Sequence, residues 1–155
     1  MNTTSKESAT TSRIPPHWFW RTYPAYELDA VRCLELTCLL GTFSTTIPIW
    51  RDALIGEPAA AVAVALPMKL PSVITYPVDA RMSVLLNAAV LGSDTCAIVL
   101  SNMLNRMPIE RYLRERLAAS WFECSKRVRA GGRNRIHARR FPTISPRCTG
   151  QENHS

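Results

Sequence analysis

Residues 108–130 read PIERYLRERLAASWFECSKRVRA, and the spacing of their apolar side chains decides the fold. Ile109, Leu113, Leu117 and Trp121 follow one another at steps of four, with Tyr112, Cys124 and Val128 widening the stripe. A backbone that turns every 3.6 residues brings these positions to one face, so the spacing predicts an amphipathic helix. Pro108, with fixed φ and no N–H, suits its first turn; Gly131 and Gly132 stop it, and Lys126, Arg127 and Arg129 complement the negative end of its dipole. Glu110 with Arg114 and Glu123 with Arg127 are spaced as i,i+4 ion pairs. The apolar stripe can meet either the protein's own core or another helix, which makes Ile109, Leu113, Leu117 and Trp121 the candidates for a partner-helix contact.

Outward from this helix, helical signals recur. Ser93 and Asp94 can cap a helix carrying Cys96, Val99, Leu100, Met103, Leu104 and Met107 along one side. Before it, Asp79 is placed as the cap of a helix with apolar residues at Met82, Leu85, Leu86, Ala89 and Val90, and Gly92 stops or kinks it. The two could also form one bent helix. Between residues 25 and 43, Leu28, Val31, Leu34, Cys38 and Leu39 alternate with Glu27, Asp29, Arg32 and Glu35, and Gly41 falls near the end of the helix they predict.

Prolines divide the middle. Pro58, Pro67, Pro71 and Pro77 cut residues 56–78 into pieces too short for a long helix. Of these, AAAVAVAL at 59–66 is read as two helical turns and SVITY at 72–76 as an extended connector, since a lone strand without a mate makes a poor sheet. TFSTTIPIW at 42–50 is left open between strand, turn and helix entry. PPHWFWRTYPAY at 15–26 is read as an extended lead-in, whose Trp18, Trp20, Tyr23 and Tyr26 either cap the core or form a partner-docking patch. The predicted fold is therefore mainly α, a small irregular helical bundle with a proline-rich middle segment and disordered termini. Residues 14–130 are expected to form a single helical domain, residues 1–13 a disordered N-terminus and residues 131–155 a basic disordered tail.

Charge is unevenly placed. Residues 1–105 hold 7 basic and 8 acidic groups, net −1, whereas 106–148 hold 12 basic and 3 acidic, net +9. A neutral body with a basic end favours an acidic partner there. KRVRAGGRNRIHARR at 126–140 has seven cations and no acid, and Lys126, Arg127, Arg129, Arg133, Arg135, Arg139 and Arg140 are the candidates for polyanion binding. The planar fork of arginine pairs with two phosphate oxygens, and clustered arginines release counterions from nucleic acid. The same composition also suits a solvated tail.

Several function classes lack their residues. The histidines, His17, His137 and His154, fall in segments read as irregular, where the fixed geometry of a catalytic base or metal ligand is hard to hold. GxSxG, HExxH and GxxxxGK[ST] are absent from the sequence. Cys33 and Cys38 are five residues apart, off a common helix face, and with Cys96, Cys124 and Cys148 make an odd set without CxxC spacing. They are read as reduced thiols, which implies a cytoplasmic setting. Asp52 and Glu57 flank a turn. No catalytic residue, metal or cofactor is expected. The apolar runs at 36–50 and 82–104 are too short or too interrupted to span a bilayer, and the N-terminus lacks the apolar centre of a secretory signal peptide.

DARMSVLLNAAVLGSD at 79–94, followed by MLNRMPIERYLRERL at 103–117, sets two apolar helical segments around a glycine break ahead of a basic amphipathic helix. About a third of the chain thereby resembles the cytosolic accessory proteins of bacterial type III secretion systems, especially those of plant-associated bacteria. The resemblance implies a non-enzymatic helical component that joins other secretion proteins at the inner face of the membrane; it carries no functional residues over. The proline-rich middle and the arginine tail depart from it. Two functions are thus expected in competition: an intracellular helical adaptor with a protein partner, or a nucleic-acid-binding protein working through its basic end.

Overall fold

A computed structural model describes residues 13–43 and 46–131. Two short 3-10 segments, Pro16–Arg21 and Ala25–Glu27, lead into six α-helices: α1 (Ala30–Leu40), α2 (Trp50–Leu54), α3 (Pro58–Ala65), α4 (Tyr76–Val90), α5 (Asp94–Leu104) and α6 (Arg111–Arg129). The described residues contain no strand, so the mainly helical expectation holds. The expected disordered ends lie outside the described residues, apart from Arg13 and Gly131.

Helix α4 is the central element. Every residue from Met82 to Ala89 is buried, and α1, α2, α3, α5 and the first 3-10 segment all pack on it. A helix apolar on most sides must be covered on most sides, and here even the polar members point inward. Ser83 Oγ donates to the carbonyl of His17 at 3.4 Å, and Asn87 Nδ2 donates to that of Leu54 at 3.4 Å. The predicted one-sided stripe is therefore too narrow: Val84 and Ala88 are as deep in the core as Leu85.

The start of this helix also differs from expectation. Asp79 does not cap it; the helix begins at Tyr76 after the extended Thr75, with Pro77 in its first turn. Pro77 can occupy that turn because its missing N–H would have had no intrahelical acceptor. Asp79 is instead buried, accepting from Trp20 and Arg21. At the far end Gly92, at φ +105°, reverses the chain. Ser93 then caps α5 as read, its Oγ accepting from the Cys96 N–H at 3.1 Å. Two separate helices result.

Helix α1 presents a different face from the one predicted. Cys33, Leu36 and Leu40 are buried, with Leu28 just ahead of them, whereas Val31, Leu34 and Cys38 are exposed. Both sets recur at helical spacing, and only the partner surface, α4 and the first 3-10 segment, selects between them. The open stretch at 42–50 resolves into a turn and the entry to α2. Residues 59–65 are helical as read, and the carboxylate of Glu57 caps α3 by accepting from the Ala60 N–H at 2.6 Å. The aromatic lead-in is not extended: Phe19 and Trp20 are buried in the first 3-10 segment, while Trp18 and Tyr26 stay exposed.

Helix α6 lies against α5. It begins at Arg111 rather than Pro108, because Glu110 is its cap: one carboxylate accepts from the N–H groups of Tyr112 and Leu113, both at 2.9 Å. Glu110 thus serves the backbone instead of pairing with Arg114, and the ion pairs that form on the helix are Arg111–Glu115 and Lys126–Glu123. Leu117, Ala118 and Trp121 are buried against α5, where Ser101 Oγ donates to the carbonyl of Ala118 at 2.7 Å.

Candidate functional site

The stripe that decided the fold is used inside the molecule. Leu117 and Trp121 are fully covered, and Ile109 and Leu113 are half-buried against the same core. Of the two uses open to the four partner-helix candidates, the described structure adopts the first. Any contact that α6 itself makes with another molecule must then come from its opposite face.

On that face the chain forms a groove. Ala25–Glu27 crosses the middle of α6, held by the Ala25 N–H donating to Ser120 Oγ at 3.0 Å; this hydroxyl in turn donates to the Leu117 carbonyl at 2.8 Å. Arg116 fastens the other side: Nε–H donates to the Tyr26 hydroxyl at 3.2 Å and Nη2–H to Glu27 Oε1 at 2.7 Å. The hydrogen bond to Tyr26, with the nearby negative charge of Glu27, raises the Arg116 pKa above its ordinary value. Between these anchors lies a groove of about 390 Å³, with a mainly apolar floor of Ala25, Ala119 and Cys124 and a charged rim of Arg116, Glu123 and Arg127. Tyr26 stands at its edge, 63% exposed.

The polyanion candidates separate here. Lys126 is paired with Glu123 at 2.8 Å and lies over the Phe122 ring, 4.6 Å from its centroid. Arg129 is paired with Asp94 at 2.8 Å, which ties the end of α6 to the start of α5. Both carboxylates are held below their usual range, Glu123 first by the hydrogen bond from Lys126 and Asp94 first by that from Arg129. Arg127 lines the groove and has no ion pair among the described residues. Arg133, Arg135, Arg139 and Arg140 lie outside the described residues.

Other chemistry-bearing groups are dispersed. No group of three His, Cys, Asp or Glu side chains gathers at metal-binding spacing among the described residues. The His17 ring packs edge-on against Trp18 and Tyr76; His137 and His154 are outside the described residues. Cys33, Cys38, Cys96 and Cys124 carry thiols and no disulfide, with Cys148 outside. No described helix is long and apolar enough to cross a membrane.

Two constellations were invisible in the sequence. Trp20 and Arg21 meet Asp79 across nearly sixty residues, and Tyr26 and Glu27 meet Arg116 across about ninety. Periodicity reports only neighbours within one helix, so neither contact leaves a local signal. The groove can seat an apolar side chain on its floor and offer a guanidinium to a carboxylate at its rim. No protein-family model, curated protein or solved structure matches this chain.

Proposed function

We propose that the protein is a non-enzymatic helical adaptor whose groove between Ala25–Glu27 and α6 holds a segment of a protein partner. The observation that carries this reading is the juxtaposition of an apolar floor with Arg127, a rim cation that makes no salt bridge among the described residues, its near acid Glu123 being hydrogen-bonded to Lys126 instead. One exposed aromatic, Tyr26, stands at the edge of the groove, and two more, Tyr112 and Phe122, are exposed elsewhere on α6. Aromatic and arginine side chains dominate the energetics of protein interfaces because they bury large area with few rotatable bonds and a polar end. The chemistry fits an amphipathic partner helix bearing a small apolar anchor with a carboxylate one turn away. The resemblance to type III secretion accessory proteins suggests one setting for such a partner, an assembly at the inner face of a membrane.

The test is site-specific photo-crosslinking from Ala119, an exposed residue of the groove, in the full chain, with wild type compared with a Tyr26→Ser, Arg127→Glu double variant. A crosslinked protein that vanishes in the variant supports the groove. Crosslinks unchanged by the variant, or none from wild type in cells that express the protein, oppose it.

A second reading, nucleic-acid binding through the basic end, is favoured by the 12 basic and 3 acidic groups at 106–148. It predicts affinity that falls steeply with salt. Deleting residues 132–155 should abolish that binding, and retention of full affinity would remove this reading.

A further inference from the structure

Residues 58–78, PAAAVAVALPMKLPSVITYPV, contain no acid and one cation, Lys69. Their first part is α3 and their last part opens α4; Pro67 and Pro71 keep the connection between irregular. Leu66, Leu70, Val73 and Tyr76 stand out from this connection into solvent, between 42% and 69% exposed. Isolated apolar side chains on a surface are ordinary, but four along one eleven-residue loop are not.

The first 3-10 segment adds to the same edge. The His17 ring packs edge-on against Tyr76, 5.4 Å between centroids, and against Trp18 at 5.7 Å, so the exposed Trp18 indole joins the apolar loop. Charge here has one sign outward. Asp79, the nearest following acid, is buried beneath Trp20 and Arg21, and the Arg21 guanidinium lies over the Trp18 ring, 4.6 Å from its centroid. Arg81 is turned back onto the Val64 carbonyl at the end of α3.

We propose that this edge docks the protein on the surface of an anionic lipid bilayer. Leu70 and Val73 enter the boundary between headgroups and acyl chains. Trp18 and Tyr76 lie at headgroup level, where rings with one apolar and one polar end are most stable. Lys69 faces the lipid phosphates, and the formal charge of +7 draws the whole protein toward a negative surface. A loop without acids distinguishes this occupant from a protein, since a carboxylate would be repelled by anionic headgroups but tolerated in a protein interface. The backbone of the loop remains at the wet headgroup level, so it needs no regular hydrogen bonding. Attachment through one short loop is reversible.

The experiment uses the full chain with vesicles of phosphatidylcholine alone and of phosphatidylcholine mixed with phosphatidylglycerol. Co-sedimentation is expected with the mixed vesicles and much less with the neutral ones. Bromine on the acyl chains should quench part of the tryptophan emission, and Trp18→Phe should remove that quenching, because Trp20, Trp50 and Trp121 are buried. A Leu70→Ser, Val73→Ser double variant alters no charge and only exposed positions; it should keep its thermal midpoint while partition falls by about tenfold. Partition equal to wild type in that variant would mean that the basic end alone holds the vesicle, and would overturn the proposal. So would absence of acyl-chain quenching, or failure to bind either vesicle.

Discussion

The indole N–H of Trp20 donates to Asp79 Oδ1 at 2.8 Å, with both residues buried. Arg21 Nη2–H donates to the other carboxylate oxygen at 3.0 Å, so one acid binds the N-terminal 3-10 segment to the first turn of α4. A carboxylate out of water is costly unless its oxygens are satisfied, and this one has a partner on each. The segment that supplies Tyr26 and Glu27 to the groove follows directly from this anchor.

Asp79→Ala leaves both the indole N–H and the guanidinium without their acceptor in a buried place. It should lower stability by about 3–5 kcal/mol. Asp79→Asn keeps an acceptor for Trp20 but turns an amide NH2 toward the Arg21 guanidinium, so it loses the charge and that one hydrogen bond, for a smaller loss of about 1–3 kcal/mol. Urea unfolding followed by circular dichroism measures both; two variants within 0.5 kcal/mol of wild type would show that the anchor contributes nothing.

Gly56 and Gly92 both hold left-handed backbone, φ +85° and +105°, but only one is crowded. A Cβ on Gly56 would run into the Leu91 Cδ1, whereas a Cβ on Gly92 meets nothing. Gly92→Ala should cost only the backbone term, about 1–2 kcal/mol, and Gly56→Ala little beyond it, because Leu91 Cδ1 is the end of a flexible, exposed side chain that can rotate away. Leu91→Ala added to Gly56→Ala should therefore recover almost nothing. A loss at Gly56 well above that at Gly92, recovered by Leu91→Ala, would contradict this account.

Stability should fall at both ends of the pH scale for separate reasons. Glu110 is held below its ordinary pKa by the backbone N–H groups of Tyr112 and Leu113, as are Asp94 by Arg129 and Glu123 by Lys126. Groups lowered in the folded state stabilise it fully above their unfolded values, near 4, and lose that contribution as pH drops through the lower folded values. Burial pushes the Cys33 thiol up to about 11. The unfolded thiol ionises near 8.5, so this contribution is complete below that pH and disappears as pH rises toward 11. Denaturation midpoints across pH should show Glu110→Ala flattening the acid arm and Cys33→Ala the alkaline arm; unchanged slopes would refute the assignments.

Thiol accessibility should rank as the helices place it. Cys38, on the exposed side of α1, should react first with a maleimide, and Cys33 and Cys96 last. For Cys33 the raised pKa alone lowers the thiolate fraction about three-hundredfold. Peptide mass mapping over time gives the order. Early labelling of Cys33 ahead of Cys38 would mean that α1 buries the face first expected from Val31 and Leu34.

How much was legible follows from how far apart the deciding residues lie. α6 was readable because its apolar residues recur at one spacing and nothing else competes. The buried face of α1 is ambiguous in the sequence because Cys33, Leu36, Leu40 and Val31, Leu34, Cys38 repeat equally well, and propensity cannot say which side meets α4. Asp79 reads as a cap because a carboxylate near a helix start normally accepts backbone N–H groups; Trp20 and Arg21 claim it from a distance. The groove had no sequence signature at all, being made by two segments about ninety residues apart.

Local chemistry in the chain determined where helices start and stop: Ser93 as a cap, Gly92 and Gly131 as reversals, prolines confining the middle to short pieces, and fourfold spacing along residues 109–121. These depend on hydrogen bonds and sterics within a few residues, which the order of amino acids specifies directly. Only the tertiary structure decided which faces turned inward, that α4 would be enclosed from Met82 to Ala89, and that Arg116 would close a groove with Tyr26. Burial is a property of the neighbour as much as of the residue, and neighbours exist only once the chain has folded.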